Sequence, residues 1–335
     1  MKPRDHIKIP NPKIGVILVN LGTPEATNYT SMWKYLREFL SDKRVIELPR
    51  ILWLPILYFI ILIVRPKKSG KLYEKIWNKE KGISPLKEIT AKVTEKLRAK
   101  VKTNRIQIDY AMNYGNPSIS KIMTSQFHQG CNKILIVPMY PQYSATTTAS
   151  VVDNVNRVLK KMRWQPTIRF CPPYFDDEIY IRALSSQIEK KIKKTKPDKV
   201  LASFHGIPKK YFMKGDPYHC HCAKTVRLLN EKLKRTKTEV ELSFQSRFGP
   251  QEWLRPYMNE KFKELIRKGH KNIMMIAPGF SVDCLETLEE IKMEGREEFK
   301  EMGGEKFEYM NCLNDSIESI TMLEKIVKRE LSGWI

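Results

Sequence analysis

A histidine and a short row of carboxylates, far apart in the chain, are the residues best suited to chemistry. His205 follows the apolar run Val200–Phe204 and precedes Gly206-Ile207-Pro208, which cannot continue a strand. It therefore sits at the carboxyl end of a buried strand, where open α/β sheets hold their ligands. A histidine there is a candidate proton acceptor or metal ligand, the plain alternative being a hydrogen-bonded residue at a strand end. Glu286, Glu290 and Glu294 fall at i, i+4 and i+8, one acidic track on a helix, with Asp283 extending it at i−3. Carboxylates stacked this way repel each other and add little stability, so a cation route is one use for them and a solvated helix face the other. A third group, His219-Cys220-His221-Cys222, has the look of a ligand cluster with Cys171 and Cys312 as helpers, although it lacks the second spaced pair that structural zinc sites bring.

These groups need elements to position them. Ile14–Leu21 is an unbroken apolar run ended by Gly22-Thr23-Pro24, which reads as a buried parallel strand entering a loop. Met32, Leu36, Phe39 and Leu40 then recur at helical spacing behind Thr30 and Ser31 as caps. Ser84-Pro85 opens an amphipathic helix through Leu86, Ile89, Val93 and Leu97. Further strands are predicted at 106–114, 133–139, 167–171, 199–204, 240–245, 272–277 and 306–310, with helices between them, among them 119–127 and 148–162, and a last helix at 317–331. Such alternation is that of α/β proteins. Two local echoes indicate duplication: VNLGTP (Val19–Pro24) resembles SFHGIP (Ser203–Pro208), and KILIVP (Lys133–Pro138) resembles NIMMIAP (Asn272–Pro278). The expected fold is α/β, two similar halves with parallel sheets enclosing a cleft, divided as 1–163, 164–314 and a C-terminal helical segment 315–335 that packs back on the first half.

Composition narrows the function. The 335 residues carry 60 Lys+Arg against 37 Asp+Glu, an excess that favours anionic partners. No zinc finger or RNP-type signature accompanies it, and the lysines fall largely on polar helix faces, so nucleic acid is not expected. Six cysteines in a chain of this length, behind the charged start MKPRDHIKIP with no signal peptide, suggest a reducing cytoplasm rather than a disulfide framework. Ile51–Val64 is apolar or aromatic throughout, interrupted by Pro55 and flanked by Arg50 and Arg65-Pro66-Lys67-Lys68. It is shorter than the roughly 20 residues a membrane span requires. It reads either as a core helix or as an interfacial segment lying on anionic lipid with Trp53, Leu57 and Phe59 toward the bilayer.

The runs VNLGTPE, GISPL, YPQYSATTTAS, SFHGIPKKYFMKGDPYHC, FQSRFGPQEWLRPY and APGFSVDCLETLEEI, in this order from Ile14 to about Asn314, resemble the ferrochelatase family. The resemblance implies two Rossmann-like domains with a porphyrin in the cleft between them. It also implies insertion of Fe²⁺ into protoporphyrin IX with loss of two protons, giving protohaem, the terminal step of haem biosynthesis. By position His205 matches the family's active-site histidine, Glu286 the acid opposite it, and Glu290 and Glu294 the continuing acidic row, so these four are the expected catalytic and metal-handling residues. Leu21, Arg65, Tyr73, Ser84, Tyr114, Tyr143 and Trp253 fall where relatives line the porphyrin pocket or its lips. Asn113 stands where some relatives carry arginine and Cys284 where others carry histidine. The end at Gly333-Trp334-Ile335 lacks the cysteine-bearing tail that holds an iron–sulfur cluster in some relatives, so the resemblance implies no resident cofactor, with Fe²⁺ as a substrate. Its upper lip is the Ile51–Val64 run, which makes a peripheral site on the inner membrane face the expected location. The neighbouring possibilities are a coproporphyrin or cobalt chelatase and a haem-binding or haem-delivery protein. Simple binding would have no use for both His205 and an acid row.

Overall fold

A computed structural model describes residues 10–335 apart from 102 and 248. The charged start of the chain and Phe248 of the FQSRFGP run lie outside the described residues. Two four-stranded sheets form, both parallel throughout. The first contains β1 (Lys13–Gly22), β2 (Ile106–Tyr114), β3 (Cys131–Pro138) and β4 (Thr167–Phe170), in the order β2-β1-β3-β4. The second contains β5 (Lys199–His205), β6 (Val240–Gln245), β7 (Asn272–Ile276) and β8 (Lys306–Tyr309), in the order β6-β5-β7-β8. The strand order is the same in both, with the first strand of each sheet lying centrally; β4 completes the first sheet, so the expected division at 163/164 falls one strand too early.

The alternation along β1 shows why its sequence is apolar at every step. Val16 and Leu18 face one core while Ile17 and Val19 face another, so both pleat faces are buried. The core that takes Val16 and Leu18 continues to Val200, Ala202 and Phe204 on β5. Ile188 and Ile192 of the Glu178–Thr195 helix and Leu323 and Ile326 of the Ile317–Glu330 helix join the two sheets through it. The Ile317–Glu330 helix packs on both the Pro85–Val101 and the Glu178–Thr195 helices.

The glycines of the echoed motifs occupy equivalent strand ends. A Cβ on Gly22, at φ +114°, would lie 1.8 Å from the Tyr114 carbonyl oxygen. On Gly206 it would lie 2.9 Å from the Gln245 carbonyl oxygen and 3.2 Å from the Trp253 ring. Each half thus brings its second strand tightly against the turn that leaves its first.

Three helical stretches differ from the sequence expectation. The cap of the Tyr29–Leu40 helix is Asn28, whose side chain accepts from Ser31 N at 2.9 Å, in place of Thr30 or Ser31. The expected 148–162 helix begins instead with a π-turn at Ala145–Ala149 and continues as an α-helix at Ser150–Leu159. The acidic segment Glu286–Gly295 is π-helical over its whole length, a conformation that periodicity does not distinguish from α. The π-turn after β3 and the π-helix after β7 stand in equivalent places of the two halves.

The apolar run 51–64 folds as helix Arg50–Ile56, a π-turn Leu57–Ile61, and the start of helix Leu62–Ile76. Trp53 and Leu57 do not face outward together with Phe59. Both are buried against Tyr35, Leu40 and Tyr73, and Trp53 Nε1 donates to the Leu40 carbonyl at 2.8 Å. The outward face consists of Ile51, Leu52, Phe59, Ile60 and Ile63, with Ile51 88% and Phe59 75% exposed. Among the described residues no helix is long and apolar enough to cross a membrane.

Candidate active site

His205 is the last residue of β5, half-buried and in register with Gln245 of β6. Its Nδ1 lies 2.7 Å from the Gly206 carbonyl oxygen, which can only accept, so a neutral ring carries its proton on Nδ1 and its lone pair on Nε2. Trp253 packs over Gly206 and pairs with Pro208 in an isolated bridge, so its ring lies beside the histidine turn.

Gln245 connects the histidine strand to the acid row. Its Oε1 accepts from Ser203 Oγ at 2.6 Å, and its Nε2 donates to the Glu286 carbonyl at 2.8 Å and to Glu290 Oε2 at 3.3 Å. Ser246, at φ +66°, donates its hydroxyl to the same Glu290 oxygen at 2.6 Å. Burial raises the pKa of Glu290, while the Ser246 hydroxyl and nearby His205 oppose the shift. A carboxylate so placed is stabilised when a cation neutralises it.

Around Glu286 stand three phenols, those of the buried Tyr35 and Tyr73 and that of the half-buried Tyr140, whose hydroxyl alone is fully enclosed. Burial raises all three pKa values, and the Glu286 charge adds to each. Leu21, Tyr73, Tyr114 and Leu285 belong with Tyr35 to one apolar cluster, so the first half supplies a wall to the carboxylates of the second. A cavity of about 800 Å³ opens beyond this wall at the ends of β1 and β2 and shares Tyr35 and Tyr114 with it.

Other expected residues are placed with defined partners. Tyr114 donates its hydroxyl to Asp42 at 2.7 Å and lies 2.9 Å from Ser150 Oγ. Asn113 donates to Ser150 at 2.9 Å and accepts from Asn154 at 2.7 Å, so its amide is engaged inside the first half. Ser84 is buried as the cap of the Pro85–Val101 helix, accepting from Lys87 N at 3.3 Å. Arg65 is half-buried on the lip helix Leu62–Ile76, and burial lowers its pKa. Glu294 lies at the exposed end of the π-helix, its pKa raised by partial burial and by Glu289.

Asp283 does not extend the row. It is buried and accepts from Tyr309 at 2.6 Å, Asn314 at 2.6 Å and Thr287 at 3.0 Å, which makes it an anchor behind the π-helix. The residue that sequence spacing missed is Glu289, buried and paired with Lys75 at 2.7 Å. Tyr35, Tyr140, Gln245 and Ser246 were also not singled out. Their only local signal is a polar group closing an apolar strand or punctuating an amphipathic helix.

The His219–Cys222 segment opens the Tyr218–Leu233 helix, and its side chains diverge. Cys222 is buried, Cys220 is exposed, and His219 lies against Phe212 and Phe244. His221 stacks on Phe175 at 3.6 Å and accepts from the Tyr143 backbone N–H at 3.2 Å. Asp216 accepts from Ser144 at 3.0 Å and Ala145 N at 2.8 Å, while Gln142 donates to Thr225 at 3.1 Å. The segment is a clamp on the Gln142–Ala145 loop. Cys171 and Cys312 are buried elsewhere in the core. Among the described residues no three His, Cys, Asp or Glu side chains are gathered as a closed metal site, and the acid row is a succession of single carboxylates.

Comparison with known proteins agrees with this architecture. The family model Ferrochelatase matches residues 13–331. The chain is 52% identical over 336 residues to a ferrochelatase of Allorhizobium ampelinum, spanning 99% of this chain and 98% of that protein. It is 50% identical over 338 residues to one of Rhizobium etli, spanning 100% and 98%. Among solved structures it is similar in fold to SirB from Bacillus subtilis with Fe³⁺, at TM-score 0.58 and 14% identity over 96% of this chain and 97% of that one. CbiX, the terminal enzyme of siroheme biosynthesis in denitrifying bacteria, gives TM-score 0.52 at 11% identity over 95% and 100%. On the family match and the full-length identity, the chain belongs to the ferrochelatase family.

Proposed function

We propose that His205 and the row Glu286–Glu290–Glu294 carry out the ferrochelatase reaction of this chain, with protoporphyrin IX and Fe²⁺ as substrates and no resident cofactor. The observation that carries the assignment is the Gln245 bracket, which ties the histidine strand to Glu286 and Glu290 in front of a wall of buried tyrosines. A free-base porphyrin holds two inner N–H protons, and both leave as one divalent ion enters. His205 Nε2, free of the Gly206 bond, accepts these protons one at a time and passes them to water. The carboxylates hand the ion inward from Glu294 through Glu290 to Glu286, since hard single oxygens hold a divalent ion without the grip of thiolates.

The wall has a separate duty. Leu21, Tyr35, Tyr73, Tyr114 and Trp253 grip the macrocycle, so binding energy serves to hold the nitrogens toward His205. Arg65, half-buried on the lip helix, is the proposed partner of a propionate at the rim and Tyr143 part of the border, while Ser84, buried as a helix cap, supports it from behind. The outward apolar face of 51–64, with Arg65, Lys67 and Lys68 following it, supports a peripheral seat on anionic lipid at the inner membrane face, from which an apolar substrate reaches the cleft.

The test is an anaerobic insertion assay with protoporphyrin IX and coproporphyrin III side by side, using Fe²⁺ and Co²⁺. Preferred turnover of protoporphyrin with Fe²⁺ is expected. Porphyrin or haem binding without insertion of either metal would replace the reading by a haem-carrying one.

A further inference from the structure

Lys75 stands on the lip helix two residues after Tyr73, and its Nζ lies 2.7 Å from Glu289 Oε1. The Glu289 side chain is 7% exposed and that of Lys75 52%, so the ammonium reaches from solvent over a buried carboxylate. The same ammonium is within electrostatic reach of Glu294 and Glu297. Glu294 follows Glu289 by five residues, one turn along a helix whose hydrogen bonds run between residues five apart. Two carboxylates one turn apart at the mouth of a cation route form the start of a hard-oxygen site. A divalent ion held between them would stall before reaching Glu290.

We propose that Lys75 is a resident counter-cation of the outer turn of the π-helix, a residue that sets how tightly the entering metal is held. By occupying Glu289 it removes one ligand and one negative charge, and the substrate ion meets Glu294 with a weak hold and moves on. The inference rests on the reading of the acid row as the metal route. It adds that the first half, through its lip helix, tunes the metal affinity of the second.

A ladder of charge variants tests it. At low ionic strength Lys75→Met should lower the apparent KM for the metal roughly 3- to 10-fold, and Glu289→Gln, which leaves the ammonium unpaired beside Glu294, should raise it by a similar factor. The double variant Lys75→Met/Glu289→Gln restores the parent's net charge and should lie within about twofold of the parent, as should Lys75→Arg. In 1 M salt, where the screening length is about 3 Å, the ladder should collapse. Binding of Mn²⁺ without porphyrin, followed by electron paramagnetic resonance, should be tighter in Lys75→Met than in the parent.

An order of KM values that does not follow the charge, or unchanged Mn²⁺ affinity in Lys75→Met, overturns the inference. Weakened porphyrin affinity with the metal KM intact does so as well, since it reduces the pair to a tether. Should Lys75→Met fail to fold, Glu289→Gln against the parent and Lys75→Arg decides, and a metal KM not raised in Glu289→Gln overturns the inference. A parent chain that inserts no metal refutes the functional reading instead, and the Mn²⁺ comparison, which needs no turnover, still judges the role of Lys75.

Discussion

Leu21 and His205 hold the same place in the two halves of this protein. Each is the residue before the strand-end glycine of an echoed motif, on the central strand of a four-stranded parallel sheet. One contributes an apolar side chain to the wall and the other an imidazole to the cleft. The contrast repeats after the next central strand. The π-turn behind β3 reads ATTTA, uncharged and clamped by Asp216, while the π-helix behind β7 reads ETLEEIKMEG. On the reading proposed above, two copies of one scaffold divide the work, the first supplying most of the grip on a flat apolar substrate and the second handling protons and metal. The duplicated backbone fixes where chemistry can sit, and the residue types decide which copy has it.

The division predicts effects of different kinds on the two sides. The largest is expected at His205, where Ala should abolish insertion while equilibrium binding of porphyrin, followed by fluorescence quenching, stays within a few-fold of the parent. Near-normal turnover of that variant would remove the histidine from the mechanism. Glu286→Gln should follow with a marked fall in kcat, since it removes the last carboxylate that presents the ion to the porphyrin. Glu294→Gln, further out, should act chiefly on the apparent KM for the metal, and equal changes in both parameters at both sites would argue against a relay.

The lip sharpens the comparison, because its two faces should respond oppositely. Leu57→Ala leaves a cavity in the first-half cluster and should cost about 2–5 kcal/mol, seen as early melting. Ile51→Ser with Phe59→Ser should leave the melting temperature nearly unchanged and weaken co-sedimentation with anionic vesicles. Vesicle binding indifferent to the outward pair would reject the membrane seat. The smallest effect is expected at the clamp between the halves. His221→Ala removes the acceptor of the Tyr143 N–H and should raise the porphyrin Kd a few-fold with kcat retained, and an unchanged Kd would leave the clamp structural only.

Much of this was legible in the chain before its structure. All eight strands were: the central ones because parallel strands buried on both faces are written as apolar runs stopped by Gly and Pro, as at Ile14–Gly22 and Val200–Gly206, and the edge strands, such as Val240–Gln245, by shorter stretches that mix apolar with polar residues. His205 and the row at 286, 290 and 294 stood out by type and spacing. What stayed hidden depends on contacts between distant segments. Glu289 looks like any other acid on a helix until Lys75 is brought across from the lip, and Asp283 fits the row by spacing although Tyr309 and Asn314 claim it. The inward turn of Trp53 and Leu57 could not be read from a run with no polar face to set its phase. The π-helix was equally hidden, since spacings of four keep side chains on one side in either helix.

The central claim is that this cleft exchanges two protons for one divalent metal ion. Its most direct measurement is the proton yield of anaerobic Fe²⁺ insertion in weakly buffered solution, with haem formation recorded in the same sample by absorbance. The account predicts about two protons released per haem formed in the parent chain and neither signal from His205→Ala. Porphyrin bound by the parent with no haem and no protons would contradict it.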